Sequence, residues 1–364
     1  YQVWAAVPDA SWFPKAKSLP QPAGDVIEVS SVDELYRAAQ NVKPGGAILI
    51  ADGHYFMPRY FEITTDDVTL RSASGDRHAA VLDGSGSRHG ELIGISGCKG
   101  VTIADVTVAN VKYNGIKINS DRGAQQVTVH NCVLHNIWQR GVKAPGMREN
   151  AEKLSPRNCR VQYCLFYNDR PKRFADDETD TPKTFNGNYI GGIDVKNTVD
   201  WTISDNVFLG IQGRTREGRG CIYISERGTR CTIERNVFLD CDIGIALGNP
   251  SLEIAEVHAV DCVVRNNLVA NCPETGILAC YTRDCRIAGN TIIDPESRLG
   301  RLIWVQNAND GLHVRNNLLI GPKMLVTSES KVVAEGNVVA VRLPSDAKQG
   351  QQFLSADALA QATE

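Results

Sequence analysis

Apolar residues along this chain fall in short alternating runs, and the runs themselves recur. Between residues 115 and 306 one phrase returns seven times: Gly115-Ile-Lys-Ile118, Gly141-Val-Lys-Ala144, Gly192-Ile-Asp-Val195, Cys221-Ile-Tyr-Ile224, Gly244-Ile-Ala-Leu247, Gly276-Ile-Leu-Ala279 and Leu302-Ile-Trp-Val305. Each has apolar residues at its second and fourth places, the period of a strand. A second phrase follows, with Asn at one fixed place: Asn206, Asn236, Asn267, Asn290 and Asn317, and Cys132 and Cys164 in that place upstream. Two residues before its first aliphatic position lies a wholly apolar column: Val101, Val127, Cys159, Trp201, Cys231, Cys262, Cys285 and Leu312.

Repeats of 20–42 residues with short strands and no helical period between them predict an all-β solenoid, a right-handed parallel β-helix of about three strands per coil. The repeated Asn predicts a ladder of side-chain amides, buried and bonded from coil to coil. A solenoid's first coil needs a cover for its open end. Ser31 followed by Glu34 reads as the capping box of a helix with Val32, Leu35 and Ala39 on its apolar face. The expected organisation is an extended Pro-rich and aromatic lead-in over residues 1–24, the β-helix over 25–343, and a polar C-terminal cap or tail over 344–364.

Composition narrows the function. A net charge of −3 argues against a nucleic-acid partner, and no run of 18 apolar residues exists to span a membrane. The chain opens at Tyr1 rather than Met, as removal of a leader would leave it, and a secreted or periplasmic location is expected. The eleven cysteines form no Cys-x-x-Cys pair, and eight of them occupy repeat positions that hold Val, Ile, Asn or Leu in other coils. They are expected to be reduced interior thiols.

The third place of the first phrase points out of the coil. Read in order, that column is Lys117, Lys143, Asp194, Tyr223, Ala246, Leu278, Trp304, and a parallel column two residues on includes Lys196. Lys143, Asp194 and Tyr223 would stand on successive coils roughly 5 Å apart. Insertions at 145–158, 170–190 and 212–219 fall on the same coils and bring Arg148, Arg170, Lys172, Arg173, Arg214, Arg216 and Arg219, with Arg140 just before Gly141. Long loops on a compact scaffold usually carry function. A basic cleft on a net-acidic protein suggests an anionic ligand. Lys143, Asp194 and Tyr223 are the catalytic candidates. Lys117, Arg140, Lys196, Arg214, Arg216, Arg219, Glu226 and Trp304 are the substrate-binding candidates. Stacked lysines depress one another's pKa, which would make one of them a base. The bland alternative is an exposed cross-strand ladder without chemistry. On either reading the column is solvent-exposed, so its substitution should leave folding nearly unaffected. Ala246 and Leu278 should tolerate replacement. The acidic run Asp176-Asp-Glu-Thr-Asp180 offers oxygen ligands for Ca2+ but lacks calcium-motif spacing, and a solvated loop is the simpler reading.

With coils, Asn ladder and capping helix in hand, residues 25–340 resemble the pectate-lyase-like superfamily of right-handed β-helices. The first cap, Ser31-Val-Asp-Glu-Leu-Tyr-Arg-Ala-Ala-Gln40 and Pro44-Gly-Gly-Ala-Ile-Leu-Ile-Ala-Asp-Gly-His-Tyr55, is similar to the start of the chondroitinase B and alginate lyase family. That resemblance implies an enzyme cleaving an acidic, uronate-containing polysaccharide by β-elimination. The family's Lys and Arg of successive coils have no match in Ile224-Ser-Glu-Arg-Gly228 and Ile245-Ala-Leu-Gly-Asn249, so no catalytic residue is carried over. A glycoside hydrolase, with Asp194 and Glu226 or a loop acid as its two carboxyls, and a non-catalytic glycan-binding solenoid are the alternatives.

Overall fold

The computed structural model describes residues 12, 15–146, 149–179, 181, 188–250, 256–297, 299–322, 325–327 and 331–340. Among the described residues three long parallel sheets, of 12, 12 and 11 strands, wind around one interior. The first runs from Val26–Val29 to Val332–Glu335, and the third from Gly53–Phe56 to Val338–Ala340. The second carries the seven Gly-Ile-x-Ile phrases. This is the right-handed parallel β-helix the periodicity predicts.

Each repeat position has a packing reason. The ladder Asn follows a residue held at positive φ, as at Asp205 (58°), Arg235 (52°) and Asn266 (54°). That one left-handed residue turns the chain sharply between the first and third sheets. Asn236 is fully buried. Its Oδ1 accepts from Asn206 Nδ2 at 2.9 Å, and its Nδ2 donates to Asn267 Oδ1 at 3.0 Å and to the Ile203 carbonyl at 2.9 Å. The ladder continues through Asn290 and Asn317 to Asn337. At its start the Cys164 N–H donates to Asn206 Oδ1 at 2.9 Å, which confirms the register across the Cys coils. The glycine of the Gly-Ile-x-Ile phrase is set by the aromatic stack inside. Phe166, Phe208 and Phe238 stack with centroids 4.6 and 4.8 Å apart, close to the coil spacing. A Cβ at Gly141 or Gly192 would lie 2.6 or 2.5 Å from these rings.

All eleven cysteines are free and buried. The cap helix, Val32–Asn41, buries Leu35, Tyr36, Ala38 and Ala39. Ser31 Oγ accepts from the Glu34 N–H at 3.4 Å, but the Glu34 carboxylate reaches past Ser31 to the Ser30 N–H at 2.8 Å. The buried face includes Tyr36 and Ala38 beside Leu35 and Ala39, and Val32 is only partly buried against the core. The described part of the lead-in lies along the outside of the coils. Arg71 donates to the Pro20 carbonyl at 3.2 Å, and Trp12 packs on the outward cluster of Val133, Leu165 and Val207. The C-terminal segment 344–364 lies outside the described residues.

Candidate functional site

The outward column is in register throughout. Lys117 pairs with Lys143, Lys143 with Asp194, Asp194 with Tyr223, Tyr223 with Ala246, Ala246 with Leu278, and Leu278 with Trp304. Its exposure is not as expected. Lys143 is 9% exposed, Asp194 1% and Tyr223 4%. Pointing out of the coil is not pointing into water here, because the inserted loops fold back over the column. The expectation that these groups stand free of the fold is therefore corrected.

Asp194 is the centre of the charged part. Its Oδ1 accepts from Lys143 Nζ at 2.8 Å and its Oδ2 from Arg140 Nε at 3.1 Å. Tyr189, from the 170–190 loop, donates its hydroxyl to the same Oδ2 at 3.3 Å. Its ring centroid lies 3.3 Å from the Arg140 guanidinium carbon. Burial pushes the Asp194 carboxyl up, and the Lys143 and Arg140 charges reverse this, leaving it below the usual carboxylate value. Burial pushes the Lys143 amine down to about 8; Asp194 opposes the shift, and Arg140 and Lys196 add to it. Lys117, the expected depressor, instead forms an ion pair with Glu91 at 2.9 Å. Burial, reinforced by the Asp194 charge, raises the Tyr223 phenol well above its ordinary value, so it stays protonated at neutral pH.

At Tyr223 the column opens into a cleft of about 360 Å³ that runs over Ala246 and Leu278 to Trp304. Glu217 and Arg219 of the 212–219 loop line it, as do Glu274 and Arg301. Arg301 bonds Glu274 Oε1 at 2.8 Å and lies over the Trp304 ring at 3.8 Å. Burial raises the Glu274 carboxyl; Arg301 opposes and Glu217 adds to the effect. Ala246 and Leu278, expected to be inert, form the cleft floor. The walls are tied together by Asp242, which is fully buried. Its Oδ2 accepts the N–H groups of Gly213 at 2.6 Å and Gly218 at 2.9 Å, and its carbonyl accepts that of Glu274 at 3.1 Å. Burial raises this carboxyl to about 8 against the two N–H donors that would lower it.

The structure brings together Lys143, Asp194, Tyr223 and Arg140, and places Arg219 and Trp304 on the adjoining cleft. Lys196 pairs with Glu226, whose N–H donates to His258 Nδ1 at 3.1 Å, a separate cluster along the strand ends. Arg214 and Arg216 are exposed, with the Arg214 guanidinium 4.0 Å from the Phe174 ring centroid. Arg148 lies outside the described residues. Asp176 is bonded by Arg170, and Asp177 is paired with Lys172 at 3.1 Å with both side chains fully buried. That part of the acidic run is thus an internal anchor of the loop rather than a solvated stretch. Among the described residues no group of three His, Cys, Asp or Glu side chains could hold a metal ion, and no helix is long and apolar enough to cross a membrane.

Arg301 and Glu274 were legible in the repeat. Arg301 holds the place of Arg140, one residue before the phrase, and Glu274 that of Arg219, two before it. Tyr189 comes from an irregular insertion and has no repeat position to reveal it.

Comparison with known proteins agrees with this architecture. Residues 191–339 match the family described as "Right handed beta helix region". The chain is 20% identical over 371 residues to the "Uncharacterized protein YclG" of Bacillus subtilis (strain 168), covering 85% of this chain but only 61% of that protein's length. Among solved structures, a PL6 alginate lyase in complex with a trisaccharide aligns with TM-score 0.50 and 14% identity over 94% of this chain and 89% of that one. The GH136 lacto-N-biosidase of Eubacterium ramulus aligns with TM-score 0.53 and 11% identity over 85% and 64%. The Dettilon tailspike protein aligns with TM-score 0.51 and 12% identity over 87% and 68%. At these identities the likeness is one of fold alone: the right-handed β-helix.

Proposed function

We propose that the protein is a carbohydrate-active enzyme that cleaves an acidic, uronate-containing polysaccharide by β-elimination. The observation that carries this reading is the Lys143–Asp194–Tyr223 column, continuous in register and ending on a cleft lined by Arg219 and Arg301. Elimination needs a cation for the carboxylate, a base for the proton beside it and an acid for the leaving oxygen. Arg219 and Arg301 neutralise the carboxylate. Glu217, a carboxylate on the cleft wall, takes the proton from the carbon beside the carboxylate. The ring carbon–oxygen bond then breaks as the double bond forms, and Tyr223 passes its phenolic proton to the departing oxygen. Asp194, with Lys143 and Arg140 bonded to it, forms the buried charged network behind Tyr223 at the end of the cleft. A secreted or periplasmic location, where such polymers are found, goes with this reading.

One observation favours a second reading, hydrolysis. Glu217 and Glu274 line the same cleft, and the Glu274 carboxyl is raised, as a general acid requires. A screen of acidic polysaccharides separates the two. β-Elimination creates an ultraviolet-absorbing double bond with each new reducing end, whereas hydrolysis creates the reducing end alone. Running the screen with and without chelator tests a Ca2+ requirement. If every polymer is bound and left intact, the protein is a glycan-binding solenoid.

A further inference from the structure

The cleft occupies only part of the column. From Tyr223 to Trp304 it covers three coil steps, roughly 14 Å at the interstrand spacing, about the length of two or three linked sugar rings. One coil before Tyr223 the column goes under cover. Asp194 is buried, and the cover is Tyr189, with its hydroxyl on Asp194 and its ring against Arg140. Tyr189 is itself held from behind. Lys172 Nζ donates to the Tyr189 carbonyl at 3.3 Å while paired with Asp177, and Asp177 accepts Gln139 Nε2 at 2.6 Å. Breaking a fully buried ion pair strands a charge. A passing polymer would not push this cover aside.

A groove closed at one end cannot be threaded. A chain lying along the column over Trp304, which keeps part of its surface exposed, has to stop at the coil of Tyr223. The geometry points to recognition of a chain end: the cleft takes the terminal two or three residues of an acidic saccharide, with the end residue against Tyr189 and Arg219 and the rest leaving over Trp304. This rests on the reading of the cleft as a uronate-binding site. It adds that Tyr223, at the closed end, meets a linkage close to the terminus, so that short products of uniform size are released.

The test is stoichiometry, which does not require turnover. Oligogalacturonates and oligomannuronates from dimer to decamer, and long polymers of known mean length, are titrated into the protein by calorimetry. End recognition predicts that affinity stops rising at about the trimer and that a long chain binds one protein molecule however long it is. Where a polymer is cleaved, short product of one size should appear from the first time point, with viscosity falling only in proportion. Tyr189→Ala, checked for folding by circular dichroism, should raise the number of molecules bound per long chain. Several wild-type molecules per chain, or early loss of viscosity with products of mixed length, would overturn end recognition while leaving the uronate reading intact. If none of these saccharides is bound or cut, the uronate reading falls and end recognition falls with it.

Discussion

Replacing Asp194 with alanine removes the carboxylate that Lys143 and Arg140 share, and the structure allows the cost to be worked out. Both oxygens accept charge-assisted bonds, at 2.8 and 3.1 Å, in a place where Asp194 is 1% exposed. Stranding a buried charge costs about 3–5 kcal/mol. Two cations are stranded, but they respond differently. Lys143 already lies at about 8, and losing the Asp194 charge moves it further down, so it sheds its proton at little expense. Arg140 cannot do so and retains its bond to Gln139 Oε1 and its stacking on Tyr189, neither of which neutralises its charge. The expected destabilisation is therefore that of one stranded cation, about 3–5 kcal/mol. Lys143→Met should cost much less, about 1–2 kcal/mol, because Asp194 keeps Arg140. Urea unfolding followed by circular dichroism measures both. The Asp194→Ala deficit should shrink between pH 7 and pH 9, as Lys143 becomes neutral in the wild type too. If Asp194→Ala unfolds at the wild-type midpoint, or Lys143→Met costs as much as Asp194→Ala, the buried-network account is wrong.

Three further outcomes are expected. Tyr223→Phe removes only a hydroxyl and should lower turnover on a confirmed substrate by about a hundredfold or more, with an unchanged unfolding midpoint. Asn236→Leu strands the Asn206 amide and the Ile203 carbonyl and should cost more than about 2 kcal/mol in the same unfolding assay; a neutral result would mean the ladder carries no stability. Asp242 has its carboxyl raised to about 8 in the fold, against about 3.9 in an unfolded chain. Between those values the folded state holds the extra proton, so this group makes stability fall as pH rises from about 4 to 8. Asp242→Asn should flatten that fall, and a profile identical to wild type would show that Asp242 does not titrate in this range.

The parts of the molecule that repeat were legible in the sequence, because a solenoid writes each packing environment many times. The ladder from Asn206 to Asn317, the interior cysteines and the order of the outward column follow from alignment of the chain with itself. Asn337 continues the ladder in a phrase of the same form, Ala334-Glu-Gly-Asn337-Val-Val339, and could have been read from it. What escaped was contributed by insertions that occur once. The lid residue Tyr189 and the buried Lys172–Asp177 anchor come from the 170–190 loop, and no repeat assigns a direction to their side chains. Burial of the column escaped for the same reason. Periodicity tells which way Asp194 leaves its strand, but only the folded loop tells what it meets there. Arg301 and Glu274 escaped for a lesser reason: their repeat places precede the phrase used to align the coils.

The register of the second sheet has a further consequence for how such a cleft can change. Every group on the floor, from Tyr223 through Ala246 and Leu278 to Trp304, belongs to a different coil, and neighbouring coils are locked by backbone pairing. The distance between two of these groups cannot be tuned by small shifts of backbone. It changes by insertion or loss of a whole turn, in increments of roughly 4.8 Å, close to the rise of one sugar unit in a polysaccharide. The wall acts as a ruler graduated in the same unit as a polymer laid along it, so adding one turn between Tyr223 and Trp304 would lengthen the site by one sugar and leave the rest of the wall in step.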